Sequence, residues 1–246
     1  MNLKVTLCQT DIVLGSDNIP NIKGVEGSLY VLPEMWNTGF IINPEQVAMS
    51  ETKSNALAWM KSFARKYKCA VCGSIPIKAE DETYRNRLYF TTKDETLYYD
   101  KHHLFTHAGE HYKYTRGVNT KIVEYGGFKF LLLVCYDLRF PVWSRYGRAG
   151  EYDAIIYVAN WPASRMDAWD VLTRARAMEN QCYVIAVNRV GDDPKTHYVG
   201  GSRIISPKGD ILAECPLDKV SFVTHTMELD YLRKCRKSFK VLEDRD

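Results

Sequence analysis

Short apolar runs dominate the hydrophobic pattern of the chain and predict many strands and few helices. The predicted strands lie at residues 4–10, 28–32, 70–77, 87–92, 96–100, 128–135, 154–159, 182–188, 198–206, 211–214 and 222–228. Because so many strands are separated by so few helices, the pattern predicts two packed sheets covered by helices. A single doubly wound sheet would need a helix after nearly every strand.

Three segments carry the signals of helices. Ser54 is the predicted N-cap of the first helix, and residues 167–180 form the second. Pro141 suits the first turn of a third helix, which we expect to run to about residue 150. The apolar positions on one side are Leu57, Met60, Ala64 and Tyr67 in the first helix and Ala168, Val171, Leu172, Ala175 and Met178 in the second.

The composition is that of an ordinary globular domain. Of the 246 residues, 46% are hydrophobic and 26% are charged, which excludes disordered, collagen-like and disulfide-scaffold proteins. We expect one domain, because mixed α/β domains reach this length without splitting. The formal net charge is only +3 and no dense Lys/Arg block is present, so we expect no nucleic-acid partner.

No apolar run is long enough for a membrane span or for the core of a signal peptide. The longest runs lie at residues 130–136 and 154–159, whereas a membrane-spanning helix needs about 20 residues. The N-terminal stretch MNLKVTLCQTD becomes polar after a few residues, so we expect a cytoplasmic protein. In that compartment the seven cysteines are expected to be free thiols.

Three short segments share one pattern, in which a predicted strand ends at a reactive side chain. They are VLPEMWNTGF with Glu34, LYYDKHHLF with Lys101 and LLLVCYDLRFP with Cys135. A rigid strand fixes the side chain at its end, and the following loop leaves that side chain accessible. An acid, a cation and a thiol in such settings form a candidate constellation for acyl transfer.

These segments, in this order, resemble the Glu–Lys–Cys triad of the nitrilase superfamily of carbon–nitrogen hydrolases. The resemblance continues through NWPASRMDAW, RARAMENQCYVIAVNRVG and GGSRIISPKGDIL, so it covers nearly the whole chain. The downstream segments look most like the omega-amidase branch. That branch hydrolyses the side-chain amide of 2-oxoglutaramate and related ω-monoamides of dicarboxylic acids.

The resemblance implies an architecture and an assembly. Members are four-layer α-β-β-α sandwiches of two mixed sheets, commonly paired as homodimers. We therefore expect one carbon–nitrogen hydrolase domain over residues 1–246, with a basic C-terminal arm at about 229–246 on the surface or across a partner. The family carries a helix before the glutamate strand, but Pro20 and Gly24 interrupt residues 11–27 here. We expect that helix to be shortened to a turn or lost.

The resemblance also implies a role for each candidate residue. Cys135 attacks the amide carbonyl, and Glu34 accepts the proton of the thiol. Lys101 and the backbone N–H of Tyr136 stabilise the tetrahedral oxyanion, and the nearby cation is expected to lower the pKa of the thiol. Glu110, in THAGEH, resembles a second glutamate that orients Lys101. A thioester route divides one difficult step into two and needs neither a metal nor a cofactor.

A small amide substrate that bears a carboxylate needs a cation in the pocket. Arg139 is the first candidate, because a guanidinium grips a carboxylate through two parallel hydrogen bonds. It can equally pair with Asp137 or Glu151 of its own chain. Arg165 is the second candidate. The aromatic residues expected to shape the pocket are Trp161 and Tyr136.

Each of these residues also has a less specific interpretation. Cys135 alone fits a buried structural thiol, since free cysteine is among the most buried residue types. Glu34 and Lys101 alone fit solvated charges, so only the joint pattern favours catalysis. The alternative functions are an amidase or carbamoylase with another acyl group, such as deaminated glutathione or an N-carbamoyl compound, and a catalytically silent binding module.

Two further patterns point weakly to metal or redox chemistry. Cys69 and Cys72 form a Cys-x-x-Cys, but positions three apart in a strand face opposite sides and cannot share a metal or a bond. A histidine-rich loop would suit a metal-dependent hydrolase, yet no His-Glu-x-x-His motif is present. The histidines of that loop are His102, His103, His107 and His111.

Overall fold

Two six-stranded sheets form the framework of the molecule, whose computed structural model describes residues 1–15 and 18–245. The first sheet contains β1 (Asn2–Gln9), β2 (Leu29–Val31), β3 (Ala70–Lys78), β4 (Tyr84–Thr91), β5 (Thr96–Asp100) and β14 (Ser221–Glu228). The second contains β6 (Ile122–Tyr125), β7 (Phe128–Val134), β8 (Ala154–Ala159), β9 (Tyr183–Asn188), β12 (Arg203–Ile205) and β13 (Ile211–Glu214). A separate hairpin pairs β10 (Val190–Asp193) with β11 (Thr196–Val199).

Both sheets follow the same plan of three parallel strands flanked by antiparallel ones. The strand orders are β14-β1-β2-β3-β4-β5 and β13-β12-β9-β8-β7-β6. Strands β1, β2 and β3 are parallel, as are β7, β8 and β9. Strand β5 is antiparallel to β4, which is antiparallel to β3, so β5 runs in the same direction as β2. The carboxyl ends of β2 and β5 therefore lie at the same edge of the first sheet.

The hydrophobic core lies between the two sheets. Inward-facing side chains such as Val5 and Val31 of the first sheet pack with Phe130 and Leu132 of the second. The rings of Phe90 and Phe130 stack across the interface with centroids 6.0 Å apart. Interdigitated inner faces of this kind are the usual core of a two-sheet sandwich.

Helices cover the outer faces, which confirms the predicted fold class of an α-β-β-α sandwich. Helix α1 (Asn55–Tyr67) packs on the first sheet and α3 (Met166–Glu179) on the second. Ser54 caps α1 as predicted, because its side chain accepts a hydrogen bond from the backbone N–H of Leu57 at 3.2 Å. No helix in the described part of the chain is long and apolar enough to cross a membrane.

The segment before β2 contains no helix within the described residues 11–15 and 18–27, in agreement with the prediction. Its path is fixed by contacts with α1 and β2. A Cβ atom at Gly24 would lie 2.4 Å from Cγ of Tyr67, so only glycine permits this close approach. The hydroxyl of Tyr30 accepts a hydrogen bond from the backbone N–H of Val25 at 2.9 Å. The loop thus packs against α1 and β2 in the region where the family has a helix.

The helix predicted from Pro141 to about residue 150 is much shorter than expected. Helix α2 (Pro141–Ser144) is a single turn. The backbone N–H of Tyr146 then donates to Oδ1 of Asn180 at 2.9 Å instead of continuing the helix. Gly147 and Gly150 follow with φ of +89° and +108°, which right-handed helix does not allow. These turns were not visible in the apolar periodicity.

Two strand predictions also need correction. The predicted strand 198–206 is divided between β11 and β12, because Gly200 and Gly201 adopt φ of +80° and +72° between them. The predicted strand 128–135 ends at Val134, and Cys135 begins a 3-10 turn (Cys135–Arg139).

The apolar side of α3 that the periodicity identified is only partly buried, with Ala168 and Leu172 packed against the core. The buried residues are Trp169, Thr173, Arg176 and Ala177, whereas Val171 and Met178 are 66% and 52% exposed. Polar anchors set this orientation. The indole Nε1 of Trp169 donates to the carbonyl of Gly201 at 2.9 Å, and Nη2 of Arg176 donates to the carbonyl of Leu138 at 2.8 Å.

The C-terminal segment predicted as a basic arm is folded onto its own chain. Helix α4 (Leu229–Ser238) buries Leu229, Leu232 and Cys235. The guanidinium of Arg236 donates to the carbonyls of Gln181 at 2.9 Å and Tyr152 at 2.7 Å. One of the basic residues therefore fastens the helix to the second sheet.

Candidate active site

The structure brings Glu34, Lys101 and Cys135 together at one end of the sandwich. They follow β2, β5 and β7, respectively. Nζ of Lys101 donates to Oε1 of Glu34 at 2.9 Å, and both side chains are fully buried. Cys135 lines the same cavity as Glu34 and Lys101, and the charges of both residues act on its thiol. Three residues that are far apart in the sequence thus share one site.

Cys135 occupies a sharp turn between β7 and the 3-10 turn. Its φ of +44° lies in the left-handed region, which non-glycine residues adopt only when their surroundings impose it. Cys135 is partly exposed, whereas every other cysteine of the chain is buried. The turn therefore presents this one thiol at the end of a rigid strand.

Both carboxylate oxygens of Glu34 are held by fixed donors. Oε1 accepts from Nδ2 of Asn86 at 2.8 Å as well as from Lys101, and Oε2 accepts from the backbone N–H of Asn160 at 2.9 Å. The Nδ2 group of Asn160 also donates to the backbone carbonyl of Glu34 at 2.6 Å. These bonds restrain both the side chain and the main chain of Glu34.

Glu110 is fully buried and contacts the ammonium of Lys101. Its two oxygens accept from Nζ of Lys101 at 3.2 and 2.9 Å. The backbone N–H of Phe105 donates to Oε2 at 2.5 Å, and Nδ2 of Asn86 lies 3.3 Å from Oε1. Lys101 is thus held between two carboxylates, and the position of Glu110 fits the orienting role expected for it.

Burial and neighbouring charges together set the pKa values of Lys101 and Cys135. The two effects oppose each other at Lys101, whereas burial and the charge of Glu34 act in the same direction at Cys135. Burial alone would lower the pKa of Lys101, but the carboxylates of Glu110 and Glu34 hold that pKa well above its ordinary value. Burial raises the pKa of Cys135 well above its ordinary value, and the charge of Glu34 adds to this effect. Lys101 lowers the thiol pKa as expected, but it does not outweigh the other two causes. The resting site therefore holds an ammonium and a protonated thiol.

A cavity of about 140 Å³ opens beside the thiol. Its wall includes every predicted site residue except Glu110, which lies behind Lys101. The lining residues are Glu34, Phe40, Lys101, Phe105, Ala108, Cys135, Tyr136, Arg139, Asn160, Trp161, Pro162, Arg165, Thr196 and Tyr198.

The two candidate arginines line this cavity and lie over aromatic rings. The guanidinium of Arg139 is 5.0 Å from the ring centroid of Trp161, and that of Arg165 is 5.4 Å from the ring centroid of Phe105. Within residues 1–15 and 18–245 neither arginine forms an ion pair with a carboxylate. The alternative pairing of Arg139 with Asp137 fails because that carboxylate is occupied by other donors.

Sequence reasoning missed several residues of the cavity and of the carboxylate network. Asn160 follows β8 directly, so the same strand-end signal that identified Glu34 could have found it. Asn86 lies within β4, where nothing in the local pattern marks it. The remaining missed residues come from the segments between strands and from the β10–β11 hairpin; they are Phe40, Phe105, Ala108, Pro162, Thr196 and Tyr198.

The weak metal and redox patterns are accounted for by other contacts. Cys69 packs in the cluster under α1, whereas Cys72 packs between the sheets, so the two thiols face opposite sides as predicted. His102 stacks on Trp143 with centroids 3.7 Å apart, and Nδ1 of His103 lies 2.8 Å from Asp137. Among the described residues no group of three or more His, Cys, Asp or Glu side chains could hold a metal ion.

The fold and this site define a class of enzyme, and comparison with known proteins agrees. The carbon–nitrogen hydrolase family model matches residues 20–237. The chain belongs to the carbon–nitrogen hydrolase family, and it is a hydrolase. The resemblance identified from the sequence is therefore confirmed.

Individual relatives match over nearly their whole lengths. The chain is 38% identical to omega-amidase YafV of Escherichia coli (strain K12), over 99% of this chain and 97% of that protein. It is 33% identical to the 2-oxoglutaramate amidase of Bacillus subtilis (strain 168), over 99% and 98%, respectively. XC1258 of Xanthomonas campestris, a CN-hydrolase superfamily protein with an arsenic adduct in its active site, superposes with a TM-score of 0.91 at 33% identity and covers 100% of this chain and 98% of its own.

Proposed function

We propose that this hydrolase is a cysteine amidase for small dicarboxylic acid monoamides of the 2-oxoglutaramate and 2-oxosuccinamate type. It converts the terminal amide to a carboxylic acid and releases ammonia. The observation that carries the substrate class is the pair of guanidinium groups in the cavity wall, Arg139 and Arg165, which lack a carboxylate partner among the described residues. A substrate carboxylate would supply that partner. The names of the E. coli and B. subtilis relatives support the same class.

The first half of the reaction forms a thioester. Cys135 transfers its proton to Glu34 while the sulfur forms a bond to the amide carbon. Lys101 and the backbone N–H of Tyr136, the second residue of the 3-10 turn, stabilise the resulting oxyanion. Glu34 then gives the proton to the departing nitrogen, the C–N bond breaks and ammonia leaves.

The second half returns the enzyme to its starting state. Glu34 takes a proton from a water molecule, and the hydroxide attacks the thioester carbon. The C–S bond breaks, the acid is released and the proton on Glu34 returns to Cys135. The raised pKa of Cys135 makes Glu34 necessary, because few thiolates exist at neutral pH without a base.

The size of the cavity favours short acyl groups over deaminated glutathione. Its volume of about 140 Å³ is below the 300–1,000 Å³ typical of pockets for drug-sized ligands. An acyl chain of four or five carbons suits this space better than deaminated glutathione does. An N-carbamoyl substrate would use the same thiol chemistry, so the acyl panel described below separates it.

We further infer a homodimer that works in the cytoplasm. The apolar side of α3 exposes Val171 and Met178 by 66% and 52%, and a second copy of the chain would cover such a stripe. All seven cysteines are free thiols, which suits a reducing compartment.

The test of the proposed function is ammonia release from a panel of amides. The panel contains 2-oxoglutaramate, succinamate, glutamine, deaminated glutathione and an N-carbamoyl amino acid. We expect turnover of the ω-monoamides, and in Cys135→Ala a fall of at least about 10³-fold with an unchanged melting temperature. Cys69→Ala, which removes a buried thiol away from the cavity, is the matched control and keeps its activity. Full activity in Cys135→Ala would refute the mechanism, and turnover of only the carbamoyl compound would refute the substrate class.

A further inference from the structure

Asp137 is a buried carboxylate whose hydrogen bonds reach both sides of the candidate site. Its side chain is fully buried. Oδ1 accepts from the backbone N–H of His103 at 2.9 Å and lies 2.8 Å from Nδ1 of the same residue. Oδ2 accepts from the hydroxyl of Tyr99 at 2.8 Å and from the backbone N–H of Val134 at 3.0 Å. Two carboxylate oxygens offer about four acceptor positions, and all of them are used.

The donors to Asp137 bracket the two residues whose relative position matters most. Val134 directly precedes Cys135, and Asp137 lies two residues after it, so the carboxylate closes a loop around the thiol. Tyr99 and His103 lie two residues before and two residues after Lys101. One carboxylate thus ties the turn that carries the thiol to the strand end that carries the ammonium.

The bond to Val134 also accounts for the conformation of Cys135. A left-handed non-glycine residue persists only where neighbouring contacts impose it. At Cys135 the carboxylate of Asp137 holds the preceding N–H from the far side of the turn, which fixes the φ of +44° between them. Without this bond the turn would relax, and the thiol would move relative to Glu34.

His103 connects Asp137 to the segment that carries Lys101. Because an ionised carboxylate only accepts hydrogen bonds, Nδ1 of His103 carries the proton of the bond to Asp137. The imidazole stacks flat on Phe140, with centroids 3.7 Å apart and an interplanar angle of 6°. Ring stacking and two hydrogen bonds leave His103, and with it the backbone after Lys101, little freedom to move.

We propose that Asp137, together with His103, is a positioning pair that holds Cys135 and Lys101 in register for the reaction. The pair contacts neither substrate nor reacting atoms and acts only through the two residues it fixes. This inference rests on the roles proposed above for Cys135 and Lys101. Errors of about 1 Å in the placement of reacting groups can cost on the order of 10²-fold in rate.

Asp137→Asn tests the pair while preserving the shape of the side chain. The amide retains one acceptor oxygen and turns an NH₂ group toward donors, so about half of the hydrogen bonds are lost. We expect kcat for the preferred ω-monoamide to fall by about 10²-fold with KM within about twofold of wild type. Asp153→Asn is the matched control, because Asp153 accepts the backbone N–H of Lys129 at 2.9 Å far from the thiol. That control keeps its kcat.

A second pair of variants isolates the imidazole bond and remains informative if Asp137→Asn fails to fold. Nδ2 of asparagine can occupy the place of the histidine Nδ1, so His103→Asn keeps the donor and His103→Leu removes it. Both variants lose the stacking on Phe140. We expect kcat in His103→Leu to fall by about tenfold relative to His103→Asn, at similar melting temperatures.

Alkylation of Cys135 by iodoacetamide, followed by mass spectrometry of the intact protein, makes the test independent of the substrate class. Its rate depends on the placement of Glu34, Lys101 and Glu110, the charged groups around the thiol. We expect slower alkylation in Asp137→Asn than in Asp153→Asn, and slower alkylation in His103→Leu than in His103→Asn. These differences are expected even if no ω-monoamide is hydrolysed. Equal rates within each pair, or a lower melting temperature with unchanged kcat, would overturn the positioning role.

Discussion

Because burial raises the pKa of the Cys135 thiol, the proposed reaction depends on the placement of its base. Glu34 meets this need because donors on both of its oxygens prevent the carboxylate from rotating. A group that is already oriented in the ground state pays no reorganisation cost in the transition state. Lys101 contributes a permanent charge, since its two carboxylate partners keep it protonated. At the scale of single residues, the proposed catalytic carboxylate and ammonium combine burial with complete hydrogen-bond pairing.

Arg139 allows a direct test of how the substrate carboxylate is bound. In Arg139→Met the aliphatic bulk remains but the guanidinium is lost. We expect KM for 2-oxoglutaramate to rise by about 10- to 100-fold, because a hydrogen-bonded charge pair is removed. Hydrolysis of the neutral amide butyramide, which has no carboxylate, should change by less than about twofold. Steady-state kinetics with both substrates measure the two effects.

Arg148→Met provides the control for this experiment, since Arg148 is exposed and does not line the cavity. Equal losses on the neutral and the charged amide would mean that Arg139 supports the cavity without binding the carboxylate. In that case the same comparison with Arg165→Met decides whether the second guanidinium does so.

The β10–β11 hairpin supplies Thr196 and Tyr198 to the cavity wall and is anchored by a buried arginine. Nη1 of Arg189 donates to Oδ1 of Asp193 at 2.8 Å, and Nη2 donates to the carbonyl of Ile12 at 2.6 Å. Its guanidinium also lies 4.5 Å from the ring centroid of Tyr198. The anchor therefore fixes the base of the hairpin and the tyrosine together.

Strand β11 of the hairpin is also held by ion pairs of His197, which depend on pH. His197 lies between Asp192 at 2.8 Å and Asp218 at 3.0 Å, and the hydrogen bond and charge of these carboxylates raise its pKa. Because the pKa of His197 is raised in the folded state, the stabilising contribution of its ion pairs is fully present below the unfolded-state pKa of about 6.5. The contribution is lost as the pH rises through the folded-state pKa.

We expect hydrogen exchange to detect the ion pairs of His197. Amides of the hairpin, corrected for intrinsic exchange, should be better protected at pH 6 than at pH 8 in the wild type, by a small factor because exposed ion pairs are weak. His197→Gln should abolish the difference. His111→Gln, a change at an exposed histidine of another loop, should preserve it. A pH-dependent difference that survives in His197→Gln would assign it to other groups.

The hairpin also shows where sequence reasoning reaches its limit. Glu34, Lys101 and Cys135 could be identified because each follows the end of a strand, a signal confined to neighbouring residues. Tyr198 reaches the cavity only through pairing of β10 with β11 and through the anchor of Arg189, which are non-local contacts. The short α2 has a similar cause, because Tyr146 bonds to Asn180, which is distant in the sequence. Local periodicity records burial within an element but not the partner that each element meets.

At the scale of the whole molecule, the exposed apolar side of α3 is the feature that calls for a partner. Val171→Glu places a charge in the middle of this side, and desolvating an unpaired carboxylate in an interface is costly. We expect the wild type to elute as a dimer and Val171→Glu as a monomer in size-exclusion chromatography with light scattering. Val220→Glu, at another exposed valine (56% exposed), should remain dimeric. A monomeric wild type would refute the proposed assembly.

The register of the first sheet extends from one end of the chain to the other. Strand β1 pairs along its whole length with β14, so that Asn2 faces Glu228 and Gln9 faces Ser221. We infer a single folding unit, because this sheet is incomplete without both strands. During synthesis on the ribosome, β1 emerges long before β14, so the outer edge of β1 stays unpaired until β14 has been made. Contacts of such long sequence separation form slowly. The newly made chain therefore exposes an open strand edge until β14 is available, and chaperones that shield such edges would act at this stage.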